Sequence, residues 1–278
     1  MGQVVAACAV PHTPAFPGMV ATEETESFTA RQFAIVRGYL ERSAADSLIL
    51  FDSDHANTFF LDNLPTFAVG VARSTAGPND FTVGLPSYSV PMDEGVGREI
   101  LSTGIDSGFD LSVTQEFTVD HSVLVPLHFL TPAMDIPVVP VFINGIIHPI
   151  PKSQRAFALG QLVGAVVNAL PADRRVAIVS SGSVSHEVGG PRIQEKAPWA
   201  VPDPGWLDSV AGYLQAGDPE PLIAAATTKR MYAAGDVAGE LLNLIALLGA
   251  SGEHLVPAHL ATDPFYGHAF AAWEWSQS

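Results

Sequence analysis

SLILFDSDH, residues 47–55, sets a short apolar run against a polar turn and a histidine. Ser47–Phe51 is brief, rich in Leu and Ile, and closed by turn-forming residues, which is the pattern of a strand covered on both faces. Three other stretches read the same way. Val4–Val10 runs into Pro11 and His12, Val138–Phe142 into Asn144, Gly145 and then His148, and Arg175–Val179 into a Ser/Gly loop that ends at His186. A fifth strand is predicted over Thr66–Val71. Helical spacing falls between these runs, over Glu24–Arg42, Gly95–Ser102, Gln154–Ala169 and Gly235–Leu248. Ser74–Met92, with its Gly, Pro, Ser and Asn, reads as a hairpin or a surface excursion. Strands hydrophobic on both faces, alternating with helices, predict an α/β fold: one domain over residues 1–278, an α/β/α sandwich around a central, mostly parallel sheet.

The spacing carries a second message. Four predicted strands each deliver a polar loop with a histidine just past the carboxyl end. In open α/β sheets ligands bind beyond those ends, so parallel neighbours would bring several imidazoles to one cleft.

Composition narrows the function. The chain has 278 residues, 47% hydrophobic and only 15% charged, which suits a packed globular core. Its 29 acidic and 13 basic side chains leave a formal net charge of −16. Such a surface repels phosphate backbones and argues against nucleic-acid binding. No apolar run reaches the roughly 18 residues of a membrane helix, so no membrane partner is expected. The start of the chain lacks the basic segment of a signal peptide. Cys8 is the single cysteine and sits in an apolar run, which predicts a buried, inert thiol and a cytoplasmic protein.

Two histidines and one carboxylate on one face of an octahedron are a common way to hold divalent iron, with the other face open to substrate and dioxygen. His12 and His55 are the best imidazole pair because each lies within a few residues of a strand end. Glu240 is the predicted carboxylate: on a helix it shares a face with Val237, Leu244 and Leu247, and a carboxylate on an apolar stripe is costly unless paired or bound to metal. Each residue also has a plainer reading. A strand-end histidine is commonly a hydrogen-bonded loop residue, and a helix glutamate commonly edges a solvated face.

Longer motifs add to this. Asp54-His55-Ala56-Asn57-Thr58-Phe59-Phe60 resembles the DHxNxFF signature of class III (type II) extradiol ring-cleavage dioxygenases. The opening strand with His12-Thr13-Pro14, the Asp120-His121-Ser122 segment leading to Pro126-Leu127, the run Pro137–Gly145, and Gly182-Ser183-Val184-Ser185-His186 resemble further segments of that family, in the same order. The branch most similar is that of 2,3-dihydroxyphenylpropionate 1,2-dioxygenase; the catalytic subunit of protocatechuate 4,5-dioxygenase is further off. The resemblance implies Fe(II) on His12, His55 and Glu240, a catecholic substrate, O2 as co-substrate, and acid–base histidines at His121 and His186. A catechol must lose protons to chelate iron, and an imidazole with an ordinary pKa near 6.5 suits such transfers. His186 is assigned as base and His121 as acid. The plainer readings are a core histidine for His121 and a helix-capping loop histidine for His186. If His121 lay on a strand, Asp120 would point away from it.

Asn57, Phe59 and Phe60 are expected beside His55 in the cleft, with Asp52 and Asp54 as acceptors behind the ligand imidazoles. Arg192 or Lys196 would meet a ring carboxylate, a surface charge being the plainer reading. His254, His259 and His268 read as surface or packing residues. After His186 the chain is shorter than in the dihydroxyphenylpropionate branch, which leaves the ring substituent open. A homo-oligomer is expected, and protocatechuate-type enzymes also pair with a small accessory subunit. Two other classes fit the same fold: a metal-binding or partner-binding scaffold, and a zinc-dependent catechol or hydrolytic enzyme.

Overall fold

In a computed structural model describing residues 1–23, 27–193, 198–252 and 256–275, ten strands form a large sheet and a small hairpin. Lys196 and His254 lie outside the described residues. Four strands make the parallel centre: β1 (Gln3–Val10), β2 (Ser47–Asp52), β7 (Val138–Ile143) and β8 (Arg175–Ser181), side by side in the order β7-β2-β8-β1. β2 and β7 are buried at every residue, which explains their unbroken hydrophobicity. β3 (Phe67–Gly70) runs antiparallel to β7 and pairs with β6 (Ser112–Thr114) at one edge. β10 (His268–Glu274) runs antiparallel to β1, and β9 (His259–Asp263) closes the other edge. β4 (Ser74–Gly77) and β5 (Tyr88–Pro91) form the separate hairpin within the predicted excursion.

Helices cover both faces. Leu48 and Leu50 of β2 face a core shared with α1 (Phe16–Glu23), α2 (Phe28–Ser43) and α4 (His121–Leu130). Ile49 and Phe51 face the opposite core, with α3 (Glu94–Asp106), α5 (Ser153–Ala169), α6 (Pro204–Ala216), α7 (Pro219–Ala225), α8 (Thr228–Ala234) and α9 (Leu241–Ala250). The α/β/α sandwich is therefore as expected. α5 and α9 are in backbone contact: a Cβ on Gly160 would fall 1.9 Å from the Ala246 carbonyl oxygen, so only glycine fits.

Two expected elements differ. The helix read over Gly235–Leu248 begins only at Leu241, after a 3-10 turn at Ala238–Glu240. Every residue of α9 is buried, so it has no single apolar stripe. Asp120 and His121 are not on a strand either. Asp120 is the N-cap of α4, accepting the Ser122 N–H, and His121 is the first helical residue.

Candidate metal centre and active site

The loops after β1, β2 and β8 meet above the parallel strands, as their spacing predicted, whereas His148 after β7 is exposed and packs against Tyr232 instead. His12 follows β1, His55 follows β2, and Glu240 ends the 3-10 turn before α9. Nε2 of His12 and Nε2 of His55 each lie 3.2 Å from the same oxygen, Glu240 Oε1. The other oxygen, Oε2, accepts the Ser183 N–H at 2.8 Å. Glycine allows this approach: a Cβ on Gly182 would fall 2.8 Å from Glu240 Cβ.

The histidine tautomers follow from proton counting. The Ser181 hydroxyl donates to the Ser122 carbonyl at 2.7 Å, so it can only accept from His12 Nδ1, also at 2.7 Å. His12 thus carries its fixed proton on Nδ1, and Nε2 is the nitrogen able to exchange a proton for a metal. His55 has its backbone N–H on Asp120 Oδ2 at 3.1 Å, while its Nδ1 is 3.4 Å from that oxygen and outside hydrogen-bond geometry. Asn243 ties the floor together, donating to the Ser181 carbonyl at 2.7 Å and to Ser53 Oγ at 3.2 Å.

Charges in this cluster answer one another. Burial alone would lift the Glu240 carboxyl, but His12 and His55 hold it well below the usual carboxylate range. Burial alone would depress His55, but Asp120 and Glu240 push it well above an ordinary imidazole. Two imidazole nitrogens aimed at one buried carboxylate oxygen are a donor set that a divalent cation fits, each nitrogen offering its lone pair.

Two more histidines stand around this point. His121 is 4.4 Å from His55 and 5.5 Å from His12 between ring centroids, and its Nδ1 pairs with Asp80 Oδ2 in a short contact. One ring nitrogen from each of His12, His55 and His121 falls within 4.8 Å of the others. Burial and the charge on His55 lower the His121 pKa against the pull of Asp80. His186 is buried and donates Nδ1–H to the Tyr266 carbonyl at 2.8 Å, so its lone pair is on Nε2. Burial lowers its pKa as well.

The expected substrate-side residues have other contacts. Asn57 donates to Asp120 Oδ2 at 3.0 Å and so buttresses the partner of His55. Phe59 packs edge-on against Phe142 at 5.1 Å, and Phe60 is exposed. Arg192 pairs with buried Glu187 and donates to the Ala233 and Tyr232 carbonyls. Asp54 accepts the backbone N–H groups of Asn57, Thr58 and Phe59, and Asp52 meets Ser122.

His268 is the residue that sequence reasoning placed among surface or packing positions and that the structure brings to the site. It is fully buried, 4.8 Å from the His186 ring, with Nε2 on Thr13 Oγ1 at 2.7 Å and Nδ1 lacking a partner among the described residues. Burial holds it well below an ordinary imidazole.

Known proteins align with this arrangement. A 2,3-dihydroxyphenylpropionate/2,3-dihydroxicinnamic acid 1,2-dioxygenase of Klebsiella pneumoniae (strain 342) is 38% identical over 147 residues, 52% of this chain and 45% of that protein. One of the same name from Mycobacterium sp. (strain MCS) is 30% identical over 198 residues, 71% of this chain and 61% of that protein. The chain thus spans about half the length of the curated relatives it matches. The crystal structure of uncharacterized protein JW3007 from Escherichia coli K12 has the same fold, with a TM-score of 0.62 at 15% identity, covering 97% of this chain and 98% of that one. The family model described as the catalytic LigB subunit of aromatic ring-opening dioxygenase matches residues 6–274, and the chain belongs to that family.

Proposed function

We propose that this chain is an Fe(II)-dependent extradiol dioxygenase that opens a catecholic ring with O2, both oxygen atoms entering the product. The observation that carries the reading is the convergence of His12 Nε2 and His55 Nε2 on Glu240 Oε1, with two further histidines standing around that point. Fe(II) held by His12, His55 and Glu240 would supply a common attachment point for catecholate and dioxygen and a path for electron density between them.

The protein's own groups handle the protons. His186 is the base: its Nδ1–H is fixed on the Tyr266 carbonyl, and burial keeps Nε2 unprotonated to take a catechol hydroxyl proton. His121 is the acid: Asp80, itself held below the usual carboxylate range by that imidazole once burial is overcome, pulls against the burial that keeps the resting ring neutral, so that a proton taken up during turnover is held until the departing oxygen receives it. Asp120 and Asn57 orient His55, and Ser181 orients His12. Asn57, Phe59 and Arg192 remain the proposed substrate-side residues. Among the described residues no helix is long and apolar enough to cross a membrane. The lone buried thiol suits the reducing cytoplasm proposed for the enzyme, and a homo-oligomer, with or without a small accessory subunit, is the proposed assembly.

The test is anaerobic loading with Fe(II), followed by a panel of catechols with oxygen uptake and visible absorbance recorded. One O2 consumed per ring, with a yellow ring-opened product, is the expected result. Iron-loaded protein that consumes no oxygen with any catechol, aminophenol or gallate overturns it in favour of a scaffold, and turnover supported by zinc without oxygen favours a hydrolytic or catechol-binding enzyme.

A further inference from the structure

Asp52 closes β2 on the face that looks towards α4, and it is completely buried. Its Oδ1 has no hydrogen-bond partner among the described residues. Its Oδ2 lies 2.8 Å from the Ser122 hydroxyl, and the same hydroxyl lies 2.5 Å from Asp120 Oδ1. A serine hydroxyl carries one proton, so it cannot donate to two ionised carboxylates at once. Both contacts are made only if one of the two aspartates brings a proton of its own.

Asp120 is the wrong place for that proton. Besides the hydroxyl it accepts the Ser122 N–H at 2.8 Å, the His55 N–H at 3.1 Å and the Asn57 side-chain amide at 3.0 Å. It also caps the α4 amino terminus, where a negative charge is favoured. Asp52 has no such donors. An ionised Asp52 would be a buried carboxylate with one oxygen bare and the other sharing a single hydroxyl, an arrangement proteins avoid by protonation.

We propose that Asp52 is an un-ionised carboxylic acid whose Oδ2–H donates to Ser122 Oγ, committing the Ser122 proton to Asp120, and that it acts in this way as a positioning residue for the ligand histidines. Burial and the neighbouring Asp120 charge push its carboxyl well above the usual range, in keeping with the proton count. Ser122 is the hub through which it acts. The Ser122 side chain holds Asp120, which holds the His55 loop, and the Ser122 carbonyl holds Ser181, which holds His12 Nδ1. A neutral Asp52 also spares the cluster a further negative charge beside Glu240, Asp120 and Asp80. That leaves room for an anionic catechol once a divalent cation is bound, a consequence that rests on the proposed dioxygenase reading, whereas the protonation state does not.

Infrared difference spectroscopy on the full chain without metal tests this directly. Wild type minus Asp52→Asn at neutral pH is expected to show the carbonyl stretch of a neutral carboxylic acid, shifted in D2O and moved in frequency by Ser122→Ala. No such band, or a band that persists in Asp52→Asn, overturns the proposal. If Asp52→Asn does not fold, aspartate carrying 13C in the side-chain carboxyl reads the same band in wild type: a labelled neutral-acid band sensitive to Ser122→Ala supports it, and its absence overturns it. Co(II) titration followed by absorbance supplies the second arm, since it reports whether or not the enzyme cleaves any catechol. Asp52→Asn keeps a neutral donor towards Ser122 and is expected to bind Co(II) within about threefold of wild type, whereas Ser122→Ala is expected to lose about tenfold or more. A loss or gain beyond about tenfold in Asp52→Asn would mean that a charge at Asp52 matters, and the proposal fails.

Discussion

The two ends of the parallel strands carry the same kinds of side chain under opposite conditions. At the amino ends, Arg174 pairs with Asp46 and Asp93, and Arg175 donates to the Ser43 and Ala44 carbonyls. These groups stay wet: the Arg174 and Asp46 side chains are 29% and 42% exposed. At the carboxyl ends, His12 and Glu240 are 4% and 0% exposed. Burying such a cluster is costly, and exchanging it for apolar residues commonly stabilises a protein. Wet pairs at one end are therefore a matter of solubility and modest stability. Dry ones at the other end concentrate the perturbed ionisations of the molecule, as functional sites do.

The sharpest way to break that contrast is at Glu240. In Glu240→Gln the charge that both proposed ligand histidines face is gone while the shape is kept. Fe(II) affinity is expected to fall by more than about 100-fold, beyond the range typical of losing a residue that merely supports a ligand. Metal titration followed by absorbance reads this, and near-normal affinity would remove Glu240 from the triad.

His186→Ala separates holding metal from using it. Metal binding is expected to stay near wild type, while kcat falls by about 10²–10⁴-fold, the usual weight of a general base. Loss of metal in this variant would contradict the assigned role. The pH profile gives an independent reading. Because burial lowers the His186 pKa, the base stays unprotonated as pH falls, so the acid limb of kcat/KM is expected below the ordinary imidazole value of about 6.5.

What could be read from sequence follows the same division. The central strands were legible because burial on both faces writes an unbroken apolar run, and the polar residues that end each run marked the cleft. α4 was not legible as a helix: its sequence HSVLVPLHFL is buried almost throughout and contains Pro126, so no 3.6-residue period is written into it. Glu240 is legible only in part, since it sits in a 3-10 turn before α9 and its burial comes from loop packing, not from a helical stripe. His268 is not legible in the same way, because it begins a strand and does not follow one. β10 is antiparallel to β1, with Ala271 opposite Ala9, so it is its first residue that arrives beside the β1 carboxyl end. That connection is tertiary, and no local pattern records it.

The buried end should also dominate acid sensitivity. His121, His186 and His268 are all lowered by burial, so each of these three sites binds fewer protons in the folded chain than in the unfolded one below about pH 6.5. Each then costs about 1.4 kcal/mol per pH unit of acidification until its folded pKa is reached. His55 works in the other direction: its raised pKa contributes stability that is fully present below the unfolded value and lost as pH rises through the folded one. It still grows between pH 7 and about 6.5, and an un-ionised Asp52 adds to it, gaining about 1.4 kcal/mol per pH unit of acidification against an unfolded chain in which that carboxyl is ionised. The net slope between pH 7 and pH 5.5 is therefore a balance, and the expected outcome is a difference: the melting temperature of metal-free wild type drops relative to that of His268→Phe as pH falls through this range. A difference between the two proteins that does not change with pH would mean that His268 is not held neutral.

At the amino end the expected effect is small, and the smallness is itself the test. Arg174→Ala removes contacts to Asp46 and Asp93, but solvent screens the first pair and Asp93 keeps its capping bond to the Val96 N–H at 3.1 Å. Partly exposed pairs of this kind are worth about 0.2–1 kcal/mol. For a chain of this size that is a melting shift of about 1–4 °C at most. Metal affinity and kcat are expected to be unchanged, because the whole length of the strands separates Arg174 from the histidines. A shift well beyond this range, or a change in metal binding, would show that the two ends are coupled through the sheet and that the division between wet and dry charge is not the one that organises this fold.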